Sequence, residues 1–222
     1  MTQILAMFHS APIPRFYILM YRSTDVNTNC LRKFFHPMVD PMRLECVAAP
    51  SENASDGEQG RIAVYADDAA MSERALTLRL DVEVESCRTL MSNMFGTILN
   101  QSAANSITHI RLDARYWGRV LSWTGTLAVT NAVIEFTRDG EEVDGWFVAD
   151  ERPPTLMPHL QYVEIFAIGE NCTAKLSSGL GQAIAALFDL SEGRKLETLK
   201  FSGVQIHGSE IELKSVAETI CT

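Results

Sequence analysis

The sequence predicts an α/β fold, an irregular solenoid with a parallel sheet and helices on its outer face. Three observations lead there. Short segments carry large apolar residues at relative positions one, four and six; helical apolar stripes lie between them; and successive segments are 24 to 36 residues apart. A strand that alternates core-facing and outward side chains, followed by a helix and a return loop, needs a repeat of about that length.

The strand pattern is clean at Ile107/Ile110/Leu112, Leu160/Val163/Ile165 and Leu196/Leu199/Phe201. Leu76, Leu78 and Leu80 alternate strictly, Val133, Ile134 and Phe136 carry a partial copy, and Ile13/Phe16/Ile18 gives a further instance near the start. Taking the last apolar position as a marker, Leu80, Leu112, Phe136, Ile165 and Phe201 are separated by 32, 24, 29 and 36 residues. Helical spacing of three and four joins Cys87, Leu90, Met91, Met94, Phe95 and Ile98. A second stripe, Leu180, Ala183, Ile184, Leu187 and Phe188, has Ser177 or Ser178 as N-cap and Gly193 as the stop. Ser209 and Glu212 form a capping-box pattern ahead of Ile211, Leu213, Val216, Ala217 and Ile220, which predicts a closing third helix. Arg115 to Trp123 and Val26 to Phe35 are weaker helical segments. The whole chain, 1–222, reads as one domain, with a polar loop or soft boundary at 50–60.

Several function classes are disfavoured by composition. A net charge of −9 without a Lys/Arg cluster argues against nucleic acid as a partner, since that binding rests on neutralising phosphates. No apolar run approaches the roughly 20 residues of a membrane span. Met1 to Ser10 lacks a basic leader and a small-residue cleavage site, and five scattered cysteines show no C-x-x-C spacing. Reduced thiols and a cytoplasmic or nuclear location are therefore expected.

Sites for chemistry are not nominated either. The run Ser178-Gly179-Leu180-Gly181-Gln182-Ala183 fails the dinucleotide fingerprint, with Ile184 where a third small residue is needed. The five histidines have no partner at i+3 or i+4 for a metal, and Asp67-Asp68, Glu141-Glu142 and Asp144 lack a calcium-loop pattern. No cofactor, metal or catalytic residue is expected. Trp117 and Trp123 read as core residues, and Trp146 as either core or a binding anchor.

The segments Asn105 to Leu112, Tyr116-Trp117 and Met157 to Ile165 together resemble the divergent leucine-rich-repeat region of fungal F-box proteins. So does the cadence from Ala183 to Leu187 through Gly193-Arg194 to Lys195 to Phe201. The similarity covers Ala75 to Thr222. It departs from regular repeats in lacking their Asn ladder, whose place holds Ile168 and Val204, and no F-box is recognisable. The resemblance implies a leucine-rich-repeat-like domain that binds protein partners without turnover. More narrowly, it implies the substrate-binding region of an SCF-type ubiquitin-ligase adaptor, with a Skp-type adaptor as partner only if an F-box lies outside this chain.

If the strands stack in sequence, residues between the core positions line up about 4.8 Å apart on the other, concave face. Arg79, Arg111, Glu135, Glu164 and Lys200 form one expected column, and Asp81, Asp113, Thr137, Phe166 and Ser202 the next; these ten are the candidate partner-binding residues. Charge reversal at Arg111 and Glu164 is expected to spare thermal stability. Two alternatives are an α/β enzyme with catalytic groups on separate strand ends and a fragment without function.

Overall fold

The computed structural model describes residues 15–20, 42–49, 59–66, 74–80, 107–118, 128–148, 155–190 and 193–222. The chain forms two compact units, Met1–His109 with Arg119–Gly125 and Ile110–Gly118 with Thr126–Thr222. The stripe Cys87 to Ile98, the segment Val26 to Phe35, Trp123 and Asp81 lie outside the described residues.

In the first unit β1 (Arg15–Met20), β2 (Met42–Ala49), β3 (Gln59–Ala66) and β4 (Arg74–Leu80) follow the order β1-β4-β3-β2. β1 and β4 run parallel, whereas β2/β3 and β3/β4 are antiparallel. This departs from the expected all-parallel stack. Residues 50–58 and 67–73 are fewer than the dozen or so that a parallel crossover requires, so these neighbours must be antiparallel. The register places Phe16, Leu76, Val64 and Leu44 at one level and Ile18, Leu78, Ile62 and Cys46 two residues away, so the period-2 apolar pattern is kept in step across all four strands. Gln59 and Gly60, read as part of the polar loop, already belong to β3.

The second unit is built on a sheet ordered β5-β6-β7-β9-β11, with β5 (Ile107–Asp113), β6 (Asn131–Phe136), β7 (Tyr162–Ala167), β9 (Leu196–Ser202) and β11 (Ala217–Cys221). β6/β7, β7/β9 and β9/β11 are parallel. The fold is thus mixed α/β with a parallel sheet and few helices. A second, two-stranded parallel ladder joins β8 (Thr173–Leu176) to β10 (Gln205–Gly208). Ile110, Ile134, Ile165 and Phe201 are buried on one side of the large sheet. Also buried are Val143 and Phe147 of α1 (Val143–Val148), Leu180, Ile184 and Leu187 of α2 (Ser178–Leu187), and Ala174 and Leu176 of β8. Trp117 is buried, as expected, edge-on to Phe188 with ring centroids 5.8 Å apart.

The two ladders advance together. Ile134 pairs with Ile165, 31 residues on, and the bridge from Glu142 to Thr173 has the same interval. Tyr162 pairs with Thr198, 36 residues on, and Thr173 with Gln205, 32 residues on. At the corners between the ladders the backbones nearly touch. A Cβ at Gly169 would overlap the carbonyl oxygen of Arg138, and one at Gly203 (φ +71°) that of Ala167. The Cys172 thiol, buried and pushed up in pKa by its burial, donates to the Arg138 carbonyl at 3.2 Å.

Ser177 caps α2 as expected, its Oγ accepting from the Leu180 amide at 3.2 Å. The stop differs. The amides of Asp189 and Leu190 donate to the carbonyls of Ala186 and Ala185, and Asp189 takes φ +49°, so the helix closes in a Schellman motif at Asp189, four residues before Gly193. The Arg194 guanidinium then donates to the Phe188 and Asp189 carbonyls at the helix end and ties them to the Met157 carbonyl, to which it also donates.

The expected closing helix is not formed. Ser209 Oγ accepts from the Ile211 amide, but only a 3-10 turn, Glu210–Leu213, follows before β11 pairs with β9. A helix would bury Ile211, which is 69% exposed; the strand instead buries Val216 and Ala217 and covers the edge of β9.

Gly169→Ala should destabilise the protein by about 1–3 kcal/mol, because the added methyl meets backbone rather than a movable side chain. Denaturant unfolding measures this; a change within experimental error would contradict the corner geometry.

Candidate functional site

The sheet face turned away from the core comes from the residues between the buried positions. In β7, buried Val163, Ile165 and Ala167 alternate with half-buried Tyr162, Glu164 and Phe166. In β9, buried Leu199 and Phe201 alternate with Thr198, Lys200 and Ser202.

The pairing corrects the two expected columns. Glu135 pairs with Phe166 and Val133 with Glu164, while Phe166 pairs with Ser202 and Glu164 with Lys200. Glu135, Phe166 and Ser202 therefore share one level, and Glu164 and Lys200 lie at the next. The expectation set Phe136 beside Ile165 as equivalent last positions, an interval of 29. In the fold Ile134 takes that level and Phe136 pairs with Ala167 as an additional buried pair. Arg79 has no place in either column, because β4 lies between β1 and β3.

Glu135 is also not on an open surface. Its side chain is 1% exposed, and Arg111 Nε donates to its Oε2 at 2.6 Å. The Arg111 guanidinium reaches from β5 over β6 to lie 5.1 Å from the centroid of the Phe166 ring on β7, covering Glu135 on the way. A buried carboxylate is tolerated only with a charged, hydrogen-bonded partner, and removing that partner typically costs 3–5 kcal/mol. Arg111 is thus one of the groups that offset the burial of Glu135.

Asp113, equally buried, caps the 3-10 turn Ala114–Tyr116 by accepting from the Arg115 amide at 2.9 Å. It also accepts from Arg115 Nε at 2.9 Å, Arg115 Nη2 at 2.8 Å and Thr137 Oγ at 3.0 Å. Arg115, absent from the expected set, is thus the residue that neutralises Asp113; its position two residues beyond the strand end was the available clue.

Glu164 gathers three donors: Ser202 Oγ at 2.6 Å, Lys200 Nζ at 3.0 Å and Tyr162 OH at 3.0 Å. Burial pushes its carboxyl up, but the hydrogen bonds from Ser202, Lys200 and Tyr162 and the Lys200 charge outweigh this, leaving it below its ordinary value. The Tyr162 hydroxyl is pushed up to about 12, first by burial and then by its bond to Glu164 and the nearby Glu164 and Cys221 charges. Tyr162 was missed although it continues the i, i+2 series of Phe166 and Glu164.

Of the ten expected residues, eight lie in the second unit, and they are joined in three clusters: Arg111–Glu135–Phe166, Asp113–Thr137 and Glu164–Lys200–Ser202. Among the described residues no group of three or more His, Cys, Asp or Glu side chains is placed to hold a metal ion. Nor is any helix among them long and apolar enough to cross a membrane. Trp146 is half-buried, edge-on to Phe136 at 5.6 Å and to Phe147 at 4.8 Å. Comparison with family models, curated proteins and solved structures finds no match to this chain.

A carboxyl held below its ordinary value favours folding at neutral pH, and that contribution is lost as the pH falls through the carboxylate range near about 4. Glu164→Gln should therefore lower stability at neutral pH, with the deficit relative to the parent shrinking on acidification. A deficit independent of pH in denaturant titrations would contradict the role assigned to Glu164.

Proposed function

We propose that the second unit is a degenerate leucine-rich-repeat-like solenoid whose strand face binds a protein partner, without cofactor or turnover, in the cytoplasm or nucleus. The observation that carries this reading is the joint advance of two parallel ladders, 31 residues in both at the first step and 36 and 32 at the next. Such an advance is what stacked coils of one chain produce. Two further features agree with it. Within the second unit the large sheet runs β5-β6-β7-β9-β11 in chain order, whereas a doubly wound enzyme reverses direction at its ligand site. And Cys172 bonds the backbone of the preceding coil, a task that falls to the Asn ladder of regular repeats.

Solenoid sheets commonly present their strand face to partners. Here that face carries aromatic, cationic and anionic groups held by one another: Arg111 on Phe166, and Tyr162 and Lys200 on Glu164. The narrower reading, target recognition for an SCF-type ubiquitin-ligase adaptor, is supported by the sequence resemblance and would require an F-box outside this chain to engage a Skp-type protein.

The test compares cross-linked partners recovered from the native cell by the parent chain, by Thr198→Arg on the strand face, and by Gln182→Arg on the exposed side of α2. Thr198→Arg should lose partners that the other two retain, with thermal unfolding little changed in either variant. Identical partner sets for all three would contradict the assignment.

A further inference from the structure

We infer that Arg111 is a preset fork for one carboxylate of a bound extended peptide, an inference that rests on the protein-binding reading above. Glu135 takes the Arg111 Nε–H at 2.6 Å, and the guanidinium carbon lies over the Phe166 ring, 5.1 Å from its centroid. Both terminal nitrogens make no hydrogen bond among the described residues, and the side chain is 37% exposed. A guanidinium held at Nε and placed over an aromatic ring offers its outer edge as two parallel N–H donors, the geometry that meets a carboxylate bidentately. Holding it beforehand removes much of the rotamer entropy that a free arginine loses on binding.

The charges around it select the ligand class. Lys200 is 43% exposed, but its ammonium lies 3.0 Å from Glu164 Oε1 and is neutralised there. Arg111 itself is already paired with Glu135, so the site offers one fork and little surplus charge. That suits a singly charged, planar carboxylate and disfavours a phosphate dianion, which carries nearly twice the charge. The half-buried ring of Phe166 lies against the fork, and half-buried Val133 stands two residues from Glu135 on the same face of β6, so that apolar area adjoins it. The matching segment is therefore an Asp or Glu next to an aliphatic or aromatic residue. The net charge of −9 works against an acidic partner at long range, but screening confines that repulsion to within about 8 Å at physiological ionic strength, so the local geometry decides.

The probe is a display library of random peptides, extended with phosphoserine-containing members and selected on the full chain and on Arg111→Lys. The lysine keeps a cation beside Glu135 and loses the fork, and unfolding curves verify that it folds. Selection on the parent should enrich Asp or Glu beside an apolar residue. The best such peptide should bind about tenfold or more tightly than its Asn or Gln counterpart, and Arg111→Lys should erase that preference. Absence of any selected peptide, equal binding of the acid and amide forms, preference for phosphoserine, or an unchanged preference in Arg111→Lys would each overturn the inference. If Thr198→Arg abolishes partner recovery while Arg111→Lys behaves as the parent, the carboxylate assignment fails and the protein-binding reading stands. If neither substitution has an effect, both fail.

Discussion

The turns that follow β6, β7 and β9 approach each other so closely that Gly169 and Gly203 leave no room for a Cβ against Arg138 and Ala167. These positions are 31 and 36 residues apart, the same intervals that separate paired residues of β6/β7 and β7/β9. The corner is also hydrogen-bonded: Ile168 donates to the Phe136 carbonyl at 2.9 Å, Gly140 to Glu170 at 2.8 Å and Thr173 to Glu141 at 3.0 Å. Any slip of one strand along its neighbour would break these bonds and drive a side chain into backbone. The register of both ladders, and with it every neighbour relation on the strand face, follows from this approach.

That register sets the electrostatics of the face. It places Glu135 level with Phe166, so that Arg111 can bond the first and lie on the second, and it places Lys200 level with Glu164. Three carboxylates at this face meet cations: Glu135 meets Arg111, Asp113 meets Arg115 and Glu164 meets Lys200. Charges compensated in this way contribute little net attraction, but they fix side-chain positions, which favours recognition by shape and by the few donors left open.

Much of the second unit was legible in its apolar periodicity. Ile107/Ile110/Leu112, Leu160/Val163/Ile165 and Leu196/Leu199/Phe201 mark β5, β7 and β9, and the Leu180 to Phe188 stripe with Ser177 marks α2. What the pattern could not decide was register. Intervals of 29 and 31 between β6 and β7 differ by two residues, and both keep apolar residues inward, because side chains alternate with period two. Only the corner packing distinguishes them, and it is a contact between residues distant in sequence. Asp189 concealed the end of α2, since aspartate is uncommon in the left-handed conformation and Gly193 stood nearby as the more usual choice. The tail misled because Ile211, Leu213, Val216 and Ile220 fit helical spacing, while the unpaired edge of β9 drew Ala217–Cys221 into a strand. In the first unit the lengths of 50–58 and 67–73 already implied antiparallel neighbours, a signal that a search for parallel repeats passes over.

The most direct measurement of the coil register is the set of cross-strand backbone contacts seen by nuclear Overhauser effects in solution. The account predicts contacts linking Ile134 to Ile165 and Ile165 to Phe201 in the large sheet, with Thr173 linked to Glu142 and Gln205 in the small one. Contacts that instead join Phe136 to Ile165, or that leave Thr173 without links to Glu142 and Gln205, would contradict it.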